Sequence, residues 1–263
     1  MKKTMRILAL VLAAMMVLLT CACGSKPAAP ADGAKTYIIG TDTVFAPFEY
    51  TDANGDFVGI DVEILKAVAE DQGFQYELQS LGFNACLTAV QTGTADAMIA
   101  GMTINDERKE TYDFSDSYFK DDLGLAVAIG AAYNSLEDLR GQMIAVKKGT
   151  IGAAYIEKVA EEYGLTYNYY ESSSDMYLAV QNGDAAACCE DYSVLNYSVK
   201  NEGGNGLQMC AESISGETAG AGDYGFAVAK GQNAELLAMF NAGLASIKAN
   251  GTYQQILDKY LAK

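Results

Sequence analysis

AVQTGTADA, residues 89–97, returns in altered form as AVQNGDAAA, residues 179–187. In both copies an apolar helical pattern stops at a glycine, Gly93 or Gly183, suited to the left-handed position that ends a helix. An apolar run follows each, residues 97–100 in one and Cys188-Cys189 in the other. Working outward, the preceding elements also correspond. In the first half a strand over residues 37–40 empties into a loop, Asp61 opens a helix reaching Gly73, and Tyr76, Leu78 and Leu81 mark a strand. Asn84 then caps a helix ending at Gly93. In the second half residues 143–146 form a strand, KKGTIGAAY opens a helix reaching Gly164, residues 166–170 form a strand, and Ser174 caps a helix ending at Gly183. Chance and common cap chemistry account for a nonapeptide, but the matching order of elements favours two similar lobes. The alternation predicts an α/β chain with parallel sheets covered on both faces. Beyond the second copy the pattern gives strands at 207–210 and 224–229, a helix at 235–249 and a short helix after Gly251.

Composition narrows the chemistry. The 263 residues are 50% hydrophobic, enough for one large or two ordinary cores. The formal net charge is −16, and removing Lys2, Lys3 and Arg6 takes it to −19, which disfavours nucleic acid and anionic lipid as partners. Histidine is absent, which removes the commonest zinc ligand and the usual general base. Neither a metal nor a cofactor is expected.

Those three cations precede an apolar run, residues 7–19, that is short for a membrane span and reads as an export signal. In L-T-C-A-C-G-S, small Ala22 before Cys23 resembles a bacterial lipoprotein cleavage and lipidation box. Residues 1–22 are thus a lipoprotein signal peptide and residues 23–34 a flexible tether lipidated at Cys23. A plain signal peptide with incidental cysteines is the alternative. Four further cysteines, Cys86, Cys188, Cys189 and Cys210, lie in apolar patterns without metal spacing and read as core filling rather than as a disulfide framework.

Parallel sheets present binding loops at the carboxyl ends of their strands. The first half places Asp42, Phe45 and Phe83 there, with Ala100, Gly101, Thr103 and Arg108; the second places Lys147, Thr150, Glu190 and Asp191. Arg108 is one of only three arginines in a chain whose default cation is lysine, and its planar fork suits a carboxylate. Each residue has an ordinary reading too. Arg108 could be a surface ion-pair partner after the Asn105 cap, Thr150 a helix cap, Glu190-Asp191 the start of a helix, and Phe45 and Phe48 core. Together, an arginine with a hydroxyl on one side and carboxylates on the other suit a zwitterion.

GTDTVFAPFEY, GDFVGIDVEI, AGMTINDERKETYDFSDSYF, LEDLRGQMIAVKKGT, EDYSVL, YGFAVAKG and NGTYQQI occur in the order seen in the bacterial extracellular solute-binding proteins of family 3, which serve polar amino-acid uptake transporters. The chain resembles that family over nearly all of residues 35–261. The resemblance implies a type II periplasmic-binding-protein fold: lobe 1 from residues 35–118 and 225–263, and lobe 2 from 119–224 including two hinge crossings near 119–123 and 219–224. It also implies that Arg108 holds a ligand carboxylate with Thr103 and the backbone of Gly101 and Thr150, that Asp191 takes the ammonium, and that Phe45 and Phe83 sandwich the side chain. Asp42, Lys147 and Glu190 then set selectivity. Lys147 points to an uncharged polar side chain such as glutamine's, the two acids to a basic one. The expected role is lobe closure on one amino acid and delivery by a lipid-anchored monomer, on the outer face of the cell membrane, to an ABC permease with a separate ATPase. The rivals are a dehydratase of aromatic amino-acid biosynthesis on the same fold, or a ligand sensor. One departure from the family pattern, Ala186 in place of an aspartate, bears on packing.

Overall fold

A computed structural model of the chain describes residues 35–201, 206–210, 214 and 222–261. The export signal, Cys23 and part of the second expected crossing lie outside these residues.

The first apolar run is β1 (Thr36–Thr41), whose Ile39 is fully buried. A hairpin, β2 (Tyr50–Thr51) with β3 (Phe57–Val58), turns at Gly55 and leads into α1 (Ile60–Gln72), which Gly73 ends at φ 73°. β4 (Gln75–Ser80) runs parallel to β1, and α2 (Phe83–Gln91) and β5 (Ala97–Met98) complete the first β-α unit. α2 begins at Phe83 rather than behind an Asn84 cap, because Asp42 takes the Phe83 N–H that a local cap would otherwise serve. After the single turn α3 (Asp106–Lys109) come β6 (Tyr112–Phe114) and β7 (Phe119–Lys120). β8 (Leu123–Ala128) then opens the second lobe.

That lobe repeats the plan with β9 (Met143–Lys147), α4 (Ile151–Tyr163), β10 (Thr166–Tyr170), α5 (Ser173–Gln181) and β11 (Ala187–Asp191). α6 (Tyr192–Asn201) and β12 (Leu207–Met209) follow. α5 is capped by Ser172, not Ser174: its side chain accepts from the Asp175 N–H. The return is β13 (Asp223–Tyr224), β14 (Ala227–Ala229), α7 (Ala234–Ala249) and α8 (Thr252–Leu261).

Two five-stranded sheets result, ordered β4-β1-β5-β14-β6 and β10-β9-β11-β8-β12, joined by a ribbon in which β7 and β13 pair antiparallel. The sheets are mixed rather than parallel throughout. The strands contributed by the β-α repeats run parallel, whereas β14, β8 and β12 run against their neighbours because each belongs to a segment that enters or leaves a lobe at the crossing or after it. Separate cores form under each sheet. Lobe 1 is held by Ile39, Ile64, Val68 and Phe226 stacked on Phe240, and lobe 2 by Val127, Ile144, Ile156 and Cys189. All four described cysteines are free and buried.

Candidate functional site

The carboxyl ends of β1, β5, β9 and β11 face one another across the line where the lobes meet. At the end of β1, Asp42 is buried and accepts from the Thr43 and Phe83 N–H groups, so it ties the loop to the start of α2. Beyond β5 the chain turns through Gly101 at φ 53°, where a Cβ would sit 2.3 Å from the Phe45 ring; only glycine fits. The Gly101 N–H is donated to Asp61 Oδ2 at 2.8 Å, and Tyr118 donates to the same oxygen. Asp61 therefore cross-links this turn to α1. What Gly101 has left for a ligand is its carbonyl.

α3 is capped as its sequence suggests, the Asn105 side chain accepting from the Arg108 N–H. The Arg108 guanidinium lies over the Phe83 ring at 5.5 Å, donates to the Thr103 carbonyl at 2.8 Å, and reaches across the cleft to the Gly149 carbonyl at 3.0 Å. It is half-buried and makes no ion pair within contact distance among the described residues. Burial lowers its pKa to about 10, opposed by the charge of Asp191.

On the second lobe, Lys147 closes β9 with 1% exposure. It pairs with Asp42, donates to Ser173 Oγ at 3.1 Å and lies 3.9 Å from Glu190. Burial works against its charge, but Asp42 and Glu190 outweigh that and raise its pKa. Thr150 caps α4, accepting from the Ala153 N–H at 3.2 Å and donating to the Lys147 carbonyl. Glu190 and Asp191 end β11 rather than beginning the helix. Glu190 accepts from Ser173 at 2.6 Å and from the Tyr177 hydroxyl. Asp191 accepts from Tyr224 of the hinge ribbon at 2.6 Å, and burial, with Asp121 adding, pushes its pKa up to about 7.

Between these groups the lobes enclose a cavity of only about 10 Å³, room for about one water, so the cleft stands nearly closed on its own side chains. Lobe 1 lines it with Phe45, Phe83, Ala100, Gly101, Thr103 and Arg108; lobe 2 lines it with Lys147, Thr150 and Asp191. Asp42 and Glu190 do not line it. They stand behind Lys147. Ile151 does line it and escaped the sequence reading, although its place as first residue after the Thr150 cap was visible. Asp61, Tyr118 and Tyr224, which hold the site from behind, carried no local signal.

Residues 37–263 match the bacterial extracellular solute-binding proteins, family 3. The chain belongs to that family. The Arginine-binding extracellular protein ArtP of Bacillus subtilis is 30% identical over 254 residues, covering 96% of each chain. An ancestral arginine-binding protein bound to arginine superposes with a TM-score of 0.79 at 35% identity, covering 86% of this chain and 98% of that one. The same TM-score, 0.79, is found at 34% identity for an ancestral arginine-binding protein bound to glutamine, covering 87% of this chain and 98% of that one. As a family 3 solute-binding protein with the type II periplasmic fold, the chain is a binding protein and not an enzyme. No helix among the described residues is long and apolar enough to cross a membrane.

Proposed function

We propose that this family 3 protein binds one polar L-amino acid between its lobes, with an uncharged side chain such as glutamine's preferred, and hands it to an ABC permease. The carrying observation is the small interlobe space with Arg108 at one wall, Asp191 at another and Lys147 at a third. The α-carboxylate takes Arg108 and Thr103 from lobe 1 and the N–H groups at the start of α4, near Thr150. The ammonium takes Asp191 and the carbonyls at Ala100-Gly101. The side chain runs between Phe45 and Phe83 toward Lys147. Because the two charged ends bind residues of different lobes, ligand contacts favour the closed arrangement over the open one.

Lys147 supports the choice within the class. A cationic side chain entering the space meets its ammonium first, while the acids behind it already accept from Lys147, Phe83, Ser173 and Tyr177. A basic ligand is the second reading, favoured by the arginine named in the relatives and by the surplus of one acid in the Asp42, Lys147 and Glu190 cluster. On the export and lipidation signals we place the mature monomer on a Cys23 lipid anchor outside the cell membrane. The lobes are bounded at residues 35–118 with 225–263, and at 119–224.

Isothermal titration calorimetry of the refolded protein against the twenty amino acids tests the reading. Glutamine is expected to bind and Arg108→Ala to cost about 2–5 kcal/mol by leaving a buried carboxylate unpaired. Near-native affinity in that variant, or silence across the panel, would sink it.

A further inference from the structure

Ser172, Ser173 and Ser174 open α5, and they do different things. Ser172 is the cap. Ser173, the first helical residue, turns inward and is 1% exposed. A buried hydroxyl costs free energy unless both its functions are met. Here they are met by opposite charges: Ser173 Oγ accepts from Lys147 at 3.1 Å and donates to Glu190 Oε1 at 2.6 Å. One turn on, Tyr177 donates to the other Glu190 oxygen. The first turn of α5 therefore fixes both oxygens of the carboxylate.

The geometry has a further side. Lys147 and Glu190 both end strands of one sheet, fully buried, yet their charged atoms stop at 3.9 Å. Ser173 bonds to both. An ammonium has three N–H donors. Asp42 takes one and Ser173 another, which leaves the third without a hydrogen-bond acceptor among the described residues; the ammonium stands 4.7 Å from the centre of the Phe45 ring, and both residues line the interlobe space.

We propose that Ser173 is a specificity-determining residue: as a spacer it keeps Lys147 from closing onto Glu190, and so keeps one ammonium N–H aimed at the acceptor oxygen of a ligand side chain. The inference rests on the amino-acid-binding reading above and names the residue that sets its side-chain preference. Without the hydroxyl, Glu190 loses a donor and recovers it from Lys147. The ammonium then withdraws from the space. An amide ligand loses its donor, and a basic ligand no longer meets a cation at the wall.

The test is calorimetry of the full chain with glutamine and arginine, each against wild type, Ser173→Ala, Ser173→Thr and Tyr177→Phe. In Ser173→Ala the glutamine-to-arginine affinity ratio is expected to fall about tenfold or more, the scale of one hydrogen bond to a charged group. Ser173→Thr keeps the hydroxyl and restores the ratio. Tyr177→Phe, which also leaves Glu190 short of a donor, moves the ratio the same way by less, and keeps the proposal testable if Ser173→Ala does not fold. A merely structural serine would lower both affinities together or lower the melting temperature alone, and an unchanged ratio in the variants overturns the spacer. Failure of wild type to bind either amino acid instead overturns the parent reading, and is told apart because it needs no variant.

Discussion

On the proposed pairing of the ligand ammonium with Asp191, this is the residue at which binding meets the proton. Burial, with the Asp121 charge adding, holds it up at about 7, so its carboxyl is protonated in acid. A ligand ammonium pairs only with the carboxylate. Binding must therefore release that proton below pH 7 and need not above it. Apparent affinity is expected to fall by about tenfold per pH unit well below 7 and to level off above it; calorimetry from pH 5 to 8 that shows no slope would remove Asp191 from the ammonium site. Glu49 and Asp61 make the opposite case for stability. Both are fully buried, and their carboxyls lie within hydrogen-bonding reach of each other, so a proton on Glu49 bonds to Asp61 while no other donor serves Glu49 among the described residues. Burial raises Glu49 well above the carboxylate range, with the Asp61 charge adding, and raises Asp61 to about 6. The folded state thus binds more protons than the unfolded one between the ordinary carboxylate range and these raised values, and stability declines as pH rises through that window. Glu49→Gln is expected to flatten the decline, read as melting temperature against pH. That Arg108, Lys147 and Asp191 would come together was legible because they are scarce or charged and sit at or just beyond strand ends. The residues behind them were not, since Asp61 reads as an ordinary first-turn acid until Gly101 and Tyr118 are seen to converge on it.

At the level of elements, the repeat is close enough for one half to serve as a control on the other. In lobe 1 Asp96 precedes β5, donates its N–H to the Ile38 carbonyl and accepts the Ile38 N–H on its side chain. In lobe 2 Ala186 precedes β11 and donates its N–H to the Met143 carbonyl, but has no side-chain oxygen to return. Ala186→Asp is therefore expected to stabilise lobe 2 by about 1 kcal/mol, the net worth of one hydrogen bond, seen as a higher urea midpoint with unchanged slope. Element type and order were readable from apolar spacing, and the glycine stops after α2 and α5 fall where expected, at φ 73° and 80°. Strand direction was not. Nothing local in residues 123–128 or 227–229 says that they run against their neighbours, because that is set by where the chain crosses between lobes. The serine run misled by two residues for a simpler reason: three good caps in succession leave the choice to packing, and the inner one is claimed by Lys147.

The molecule as a whole is drawn together at its rim as well as its centre. Tyr50 of lobe 1 and Tyr197 of lobe 2 touch hydroxyl to hydroxyl at 3.1 Å, and Arg108 bonds the Gly149 carbonyl across the cleft. The contact at Tyr50 exists only when the lobes are together, so Tyr50→Phe is expected to speed ligand release several-fold, about one neutral hydrogen bond's worth, with association little changed. Stopped-flow dissociation measures it. Two lobes were legible from the internal repeat; the antiparallel ribbon joining them was placed from resemblance alone. One consequence of the sheet order concerns how such a chain comes into being. β14 lies between β5 and β6, but in sequence it follows every strand of lobe 2. A nascent chain therefore possesses all of lobe 2 while lobe 1 still has a gap in its sheet and lacks α7, which packs on α1. The later half is ready to fold first, and the earlier half must wait with exposed strand edges for its last few dozen residues.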